Sequence, residues 1–322
     1  MALDIRGKTA LITGGASGIG LQVTRQLLAR GCSVMIADLK SSDELDVLVQ
    51  GAHEGHARAS FVRTDVTKWQ ELDALFSETV HEFGRLDIVI PGAGILEPEV
   101  SLRALRAFLY RLPAMIEKHS KNRDTDGSNS QGVSSFWHPN QGRDTPEASS
   151  FYCLDVNVTH PIRATQLAID SFQRQKLGHG VVVLISSIAA QIPLPPTPLY
   201  AASKQAISGF VRCLSPLEPL MNIRINAVAP GCVKTPLWRE KLYLFKEGVD
   251  LWVPEEQVAN VILDLITNKD HVGGTILEVG VDQVRPVEQF NDPGPSGAGH
   301  TVHGLAAAPD DVVKLINQNF GK

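Results

Sequence analysis

The chain lacks the long apolar run that a membrane helix needs; its longest apolar stretches are strand-length, and no membrane span is expected. It lacks a charge excess as well. Thirty Lys and Arg against 35 Asp and Glu leave a net charge of −5 and a pI of about 6.1, which argues against nucleic-acid or anionic-membrane partners. Cysteine is scarce. Cys32, Cys153, Cys213 and Cys232 stand without pairing or metal-ligand spacing, the pattern of free thiols in a reducing compartment. His300 and His303 lie in a glycine-rich tail without a third ligand, so no metal is expected. No internal repeat is present. The opening MALDIRGKTALITGG has no signal-peptide anatomy, and a cytoplasmic location is the expectation. Asn157-Val158-Thr159 matches a glycosylation sequon, but no secretory route gives it meaning.

What is present suits a globular protein. The 322 residues are 43% apolar and 20% charged, enough for one large core or two modest ones. Strand-like runs alternate with helical patterns, the signature of a parallel sheet with helices on both faces. Seven strands are predicted, at Thr9–Ile12, Ser33–Ala37, Phe61–Thr64, Leu86–Ile90, Val181–Ile185, Ile223–Val228 and Thr275–Val279. Val181–Ile185 is an unbroken β-branched and leucine run, suited to a central strand buried on both faces. Helices are expected from Ile19 to Arg30, stopped by Gly31, and from a Thr67/Gln70 capping box to Gly84. Others are expected from Phe151 to Arg174 despite Pro161, from Pro198 with Thr197 as cap, and from Pro254 to Thr267.

The alternation fails between Ile95 and about Ser150. Leu102, Leu105, Leu109 and Leu112 have helical spacing until Pro113, and the segment from Glu117 is polar enough to read as a mobile surface stretch. We read residues 96–150 as an insertion and 285–322 as a C-terminal extension with a last helix around Val312 to Ile316.

Three features carry chemistry. Thr13-Gly14-Gly15-Ala16-Ser17-Gly18-Ile19-Gly20 joins the first strand to the first helix, where free N–H groups and a partial positive charge cradle an anion. Gly14, Gly18 and Gly20 let backbone approach a pyrophosphate closely. Asp38 ends the next strand eighteen positions after Gly20, placed to bond the ribose hydroxyls of a dinucleotide and to repel a 2′-phosphate. Ser17 offers no cation for such a phosphate, so NAD is favoured over NADP. Tyr200 and Lys204, four apart, project from one helix face, where an ammonium lowers a phenol pKa from about 10 toward that of a useful base. Alone, that spacing favours a snorkelling pair with no chemical role. Ser187, after the central strand, adds a hydroxyl.

Together these residues resemble the short-chain dehydrogenase/reductase family in its compact single-domain form, over about residues 5–95 and 151–285. The resemblance implies an α/β fold, a doubly wound, mostly parallel seven-stranded Rossmann sheet, as one domain across 1–322. It implies a catalytic tetrad of Asn157, Ser187, Tyr200 and Lys204, with Tyr200 as general acid/base. Lys204 lowers its pKa and holds the nicotinamide ribose, Ser187 bonds the reacting oxygen, and Asn157 supports a proton-relay water. Pro161 fits, because without an N–H it leaves the Asn157 carbonyl free. Cofactor contacts are implied at Gly14, Ser17, Gly18, Ile19, Gly20, Asp38, Asp65, Val66, Gly92, Ala93, Gly94, Tyr200, Lys204, Pro230, Gly231, Val233 and Thr235. The family's usual Asn-Asn-Ala-Gly is Pro91-Gly92-Ala93-Gly94 here, with two side-chain amides lost.

The expected activity is NAD-dependent hydride transfer between a secondary alcohol and its ketone, in a homodimer or homotetramer of the hydroxyprostaglandin-dehydrogenase-like branch. Apolar residues between Leu237 and Val253 point to an apolar substrate or, equally, to a lid packed on its own core. A non-catalytic NAD(H)-binding sensor or scaffold is the alternative.

Overall fold

The computed structural model describes residues 3–52, 57–97, 99–100, 133–134, 136, 143–239, 242, 245–288 and 297–299. The helix expected at Leu102–Leu112, most of the polar segment after it, His300, His303 and the last helix around Val312 lie outside these residues.

Alternation along each strand builds the fold. In β1 (Thr9–Thr13), Ala10 and Ile12 face one apolar layer while Leu11 faces the other. Val34 and Ile36 of β2 (Ser33–Asp38) oppose Met35 and Ala37 in the same way. In β7 (Gly180–Ile185), Val181 and Val183 point one way, Val182 and Leu184 the other. Strands apolar on both faces must be covered on both faces. On one side lie α1 (Gly18–Ala29) and a helix near the C-terminal end, α7 (Glu255–Thr267), which pack on each other. On the other lie α3 (Trp69–Phe83), α4 (His160–Gln175) and α5 (Pro198–Cys213).

The remaining elements are α2 (Asp43–Ala52), β3 (Ala59–Arg63), β4 (Ile88–Pro91), α6 (Leu217–Met221), β8 (Ile223–Pro230), β9 (Ile276–Val279) and β10 (Val284–Pro286). A two-residue antiparallel ribbon pairs β5 (Glu99–Val100) with β6 (Val133–Ser134). The main sheet runs β10-β9-β8-β7-β4-β1-β2-β3, parallel except for β10. It has eight strands where seven are predicted. The extra one is three residues of Val-Arg-Pro, too short and too polar to show as an apolar run, and it is held by an ion pair of 2.6 Å between Arg285 and the buried Glu278. Helix α2 buries only Leu45, which leaves no stripe to read.

All seven parallel strands point the same way, so the turns after β1, β2, β3, β4, β7 and β8 gather at one edge of the sheet. The opposite edge is locked by charge. Asp87, fully buried, takes two hydrogen bonds from Arg85 at 2.6 and 2.7 Å, one from the Thr9 N–H at 3.0 Å and one from His179 at 2.8 Å. Burial alone would raise the Asp87 carboxyl, but those bonds outweigh it and hold it below the usual range. All four cysteines are free thiols, and among the described residues no helix is long and apolar enough to cross a membrane.

Asp87→Asn leaves Arg85 facing a neutral amide and should cost about 2–4 kcal/mol in urea unfolding near pH 7. A carboxyl whose folded pKa is depressed stabilises above its unfolded value of about 3.9, so the gap between the two proteins should close as pH falls below it.

Candidate active site

The turn after β1 is built without side-chain volume. Gly14 has φ +69°, and a Cβ there would sit 2.7 Å from the backbone of Ala93. A Cβ on Gly20 would sit 2.2 Å from the Gly14 carbonyl oxygen. One on Gly92 would meet the Thr13 carbonyl at 2.9 Å. The turns after β1 and β4 therefore touch backbone to backbone, over the N-terminus of α1. Gly18 faces Thr235 across this edge, and Ile19 turns inward onto the core. Ser17 is exposed and caps α1 only through its backbone. Such a cradle, at a helix N-terminus and with glycine at its closest backbone approaches, fits the pyrophosphate of a dinucleotide.

Asp38, at the end of β2, is aimed by its own backbone neighbourhood. One carboxylate oxygen accepts from the Ala16 N–H at 3.2 Å and the other from the Leu39 N–H at 2.8 Å. Asp65, beyond β3, accepts from the Thr67 N–H and hydroxyl at 3.0 and 2.7 Å, while Glu71 takes the Asp65 N–H at 2.7 Å. The Thr67/Gln70 capping box does not form, because the helix starts one residue later than predicted, with Lys68 as the cap and no side-chain bond. Val66 packs with Leu72 and Val156, against Ala93 and Ile95.

The four residues expected at the chemical centre come together. Asn157 lies in a helical run that passes from Tyr152–Leu154 through a π turn, Asp155–Thr159, into α4. It is buried, so the glycosylation sequon is inaccessible. Its side-chain oxygen accepts the Ile95 N–H at 2.9 Å, and its amide donates to the Ile95 carbonyl at 2.8 Å and to Ser203 at 3.2 Å. A Cβ on Gly94 would lie 3.5 Å from the Asn157 side-chain oxygen and 3.7 Å from Lys204 Nζ. Ser187 ends the loop after β7 and takes the Ala189 N–H at 3.1 Å. It also bonds the Tyr200 hydroxyl. Lys204 Nζ sits 5.5 Å from the centre of the Tyr200 ring and donates to the Ile185 carbonyl at 2.9 Å.

The expected lowering of the Tyr200 pKa by Lys204 is not found: burial dominates, and what opposes it is Ser187, not the ammonium. Burial pushes the phenol up to about 12, against the pull of the Ser187 bond, and pushes the Lys204 ammonium down to about 8. Helix α5 is also capped otherwise than predicted. Thr197 makes no side-chain cap; the Leu199 N–H goes instead to the buried carboxylate of Glu97, at 2.8 Å.

The segment after β8 closes the edge. Gly231 bonds back to Val279 at 2.9 Å, and Val233 is buried, its carbonyl taking the Thr235 N–H at 2.8 Å. Pro230 is the last, buried residue of β8. Beyond Thr235, Trp252 stacks on Phe245 at 3.8 Å and meets Trp238 edge-on at 5.6 Å. Those three rings spend much of their apolar surface on one another.

A family model described as short chain dehydrogenase matches residues 8–108 and 138–242. The chain belongs to the short-chain dehydrogenase family. It is 29% identical over 248 residues to the hydroxynaphthalene reductase arp2 of Aspergillus fumigatus, covering 77% of this chain and 74% of that one. It is 29% identical over 240 residues to the NAD(+) 15-hydroxyprostaglandin dehydrogenase of Rattus norvegicus, covering 73% and 71%. A short-chain dehydrogenase of Burkholderia cenocepacia, solved in complex with NADP, superposes with a TM-score of 0.62 at 24% identity over 87% of this chain and 98% of its own. As a short-chain dehydrogenase the protein is an oxidoreductase that takes a nicotinamide cofactor and a small-molecule substrate. Its Rossmann sheet matches the expected fold.

Three residues of this short-chain dehydrogenase site gave little sign in the sequence. Thr13 and His160 bond each other beneath the glycine turn, and Glu97 caps the helix of Tyr200. A hydroxyl directly before Gly14 was the one legible signal. Among the described residues no cluster of three or more metal-ligating side chains occurs.

Because Lys204 is depressed to about 8 from its ordinary 10.5, the unfolded chain binds more protons than the folded one between those values. Stability from this group rises with pH across that window. Lys204→Met, which cannot titrate, should gain on the wild type near pH 7 and lose that advantage by about pH 10, a swing on the order of a few kcal/mol read by chemical denaturation.

Proposed function

We propose that this chain is an NAD-dependent oxidoreductase that interconverts a secondary alcohol and its ketone, with Tyr200 as the general acid/base. The observation that carries this reading is the convergence of Asn157 and Lys204 beside Gly94, with the Tyr200 ring next to Lys204 and Ser187 next to Tyr200, at the same sheet edge as the glycine turn. Gly14, Ser17, Gly18, Ile19 and Gly20 would hold the pyrophosphate, and Asp38 the adenosine ribose. Asp65 and Val66 would meet the adenine, Gly92 to Gly94 and Lys204 the nicotinamide ribose, and Pro230, Gly231, Val233 and Thr235 the carboxamide.

Nicotinamide, when bound, supplies the hydride acceptor or donor. Tyr200 takes the alcohol proton in oxidation and returns it to the ketone oxygen in reduction. Ser187, already bonded to the phenol, orients the same oxygen. Lys204 places a cation by the ring, which would favour the phenolate at the moment it forms. The Asn157 side chain is occupied by Ile95 and Ser203, so its relay role falls to its backbone carbonyl, which the missing N–H of Pro161 leaves without the usual helical donor.

Asp38 supports NAD over NADP, since a carboxylate fixed by two backbone donors repels a 2′-phosphate. The printed names of the relatives support an apolar substrate: one acts on a hydroxynaphthalene and the other on a hydroxyprostaglandin. Exposed Leu242 and Leu251, which the ring cluster does not use, support it too.

Turnover of a panel of apolar secondary alcohols, followed as NADH absorbance, should be seen with NAD and be weaker with NADP. Tyr200→Phe should lower kcat by at least about 10³-fold while NADH binding is retained. Full activity in that variant would remove Tyr200 as the base. Binding of NADH with no turnover in any arm would favour the sensor reading.

A further inference from the structure

The loss of both side-chain amides after β4 raises a physical question. Pro91 and Gly92 can make no side-chain hydrogen bond, yet the Gly14 turn lies so near Ala93 that a Cβ on Gly14 would sit 2.7 Å from its backbone, a juxtaposition that needs a fixed relative position. One tie is main-chain, from the Gly92 N–H to the Thr13 carbonyl at 3.0 Å. The other runs through side chains. The Ala93 N–H donates to the Thr13 hydroxyl at 3.3 Å, and that hydroxyl lies 3.0 Å from His160 Nε2. His160 Nδ1 lies 3.0 Å from the Val156 carbonyl.

The chemistry fixes the direction of each bond. A carbonyl only accepts, so Nδ1 carries the proton and donates it to Val156. Nε2 is then an acceptor, and the Thr13 hydroxyl must give it its single proton. The Thr13 oxygen is thereby free to take the Ala93 N–H. Thr13 and His160 are both buried, so no bulk water can replace either partner. Burial, with the nearby Lys204 charge adding to it, holds the imidazole neutral by pushing its pKa down to about 4. The chain of donors joins three segments: the end of β1, the end of β4 and the π turn in which Val156 precedes Asn157.

We infer that His160 is a positioning residue, which holds the Thr13 hydroxyl in the one orientation that locks the glycine turn to Ala93 and both to the turn carrying Asn157. It touches neither substrate nor cofactor in this role. It replaces, from the helical side, the stiffness that amide side chains after β4 would have given. The inference rests on the proposed function, since it concerns the geometry of the nicotinamide site. Its specific claim is that one acceptor and one donor, spaced as in a neutral imidazole, are needed at position 160.

The test is NADH binding by the full chain, read by fluorescence titration, with circular dichroism to check folding and KM for NAD alongside kcat. His160→Leu removes both bonds and should weaken NADH binding about tenfold or more. Thr13→Val, of near-equal shape, should weaken it by a similar factor. The double variant should be no worse than either single one, because each breaks the same chain of bonds. His160→Gln, whose amide offers an acceptor and a donor, should return binding to within about threefold of the wild type. KM for NAD should move more than kcat. Should His160→Leu fail to fold, Thr13→Val and His160→Gln decide the matter by themselves. Wild-type affinity in folded His160→Leu or Thr13→Val, additive losses in the double variant, or a His160→Gln as weak as His160→Leu would each overturn this inference alone. A wild-type chain that binds no nicotinamide at all overturns the proposed function and this inference with it.

Discussion

Two backbone turns, one after β1 and one after β4, approach more closely than any side chain at Gly14 would allow. That contact is the constraint on which the candidate site depends. It sets the glycine turn against Gly92 and Ala93, and the next residue, Gly94, is where Asn157 and Lys204 converge. It also forces adjacent parallel strands β1 and β4 into a register in which Thr13 lies opposite Pro91. The dense apolar layers on both faces of the sheet make that register rigid, since a slip would turn Ala10, Leu11 and Ile12 to the wrong sides.

The chemical centre is costly to assemble. Lys204 is a cation with almost no water around it, compensated by the Ile185 carbonyl and by its position over a phenol ring. Tyr200 is pushed the other way, toward keeping its proton. The site holds an ammonium more acidic and a phenol less acidic than in water, so burial sets the two pKa values further apart than they stand in solution. In the proposed reaction, Ser187 beside the phenol would orient the substrate oxygen toward it. Stability elsewhere offsets this cost, most plainly at Asp87, whose buried carboxylate fastens β1, β4 and the entry to β7 at the far edge.

Much of the fold was legible in the chain. Seven runs such as Val181–Ile185 announce themselves, because a parallel strand covered on both faces has no polar side to disguise it. Glycine spacing before α1 and the Ser187, Tyr200 and Lys204 interval were legible too, since backbone contact and helical periodicity act over short sequence distances. What could not be read depends on partners far away in sequence. Glu97 displaces Thr197 as the cap of α5 across 102 positions, and β10 exists because Arg285 finds Glu278 on the neighbouring strand. The Thr67 capping box fails for a nearer reason: Lys68, not Thr67, is the residue that caps the helix. His160 looked like an ordinary helix residue until β1 was seen to pass beneath it.

The π turn at Asp155–Thr159 adds one residue to a helical repeat just before Pro161. Each residue advances a helix by about 100°, so this one extra step sets the rotational phase of everything on either side of it. With it, Asn157 looks toward Ile95 while His160, three positions on, looks down at Thr13. Removing a single residue from the bulge would leave the helix intact and the hydrophobic stripe of α4 in place, yet swing one of those two side chains out of alignment with the edge it serves.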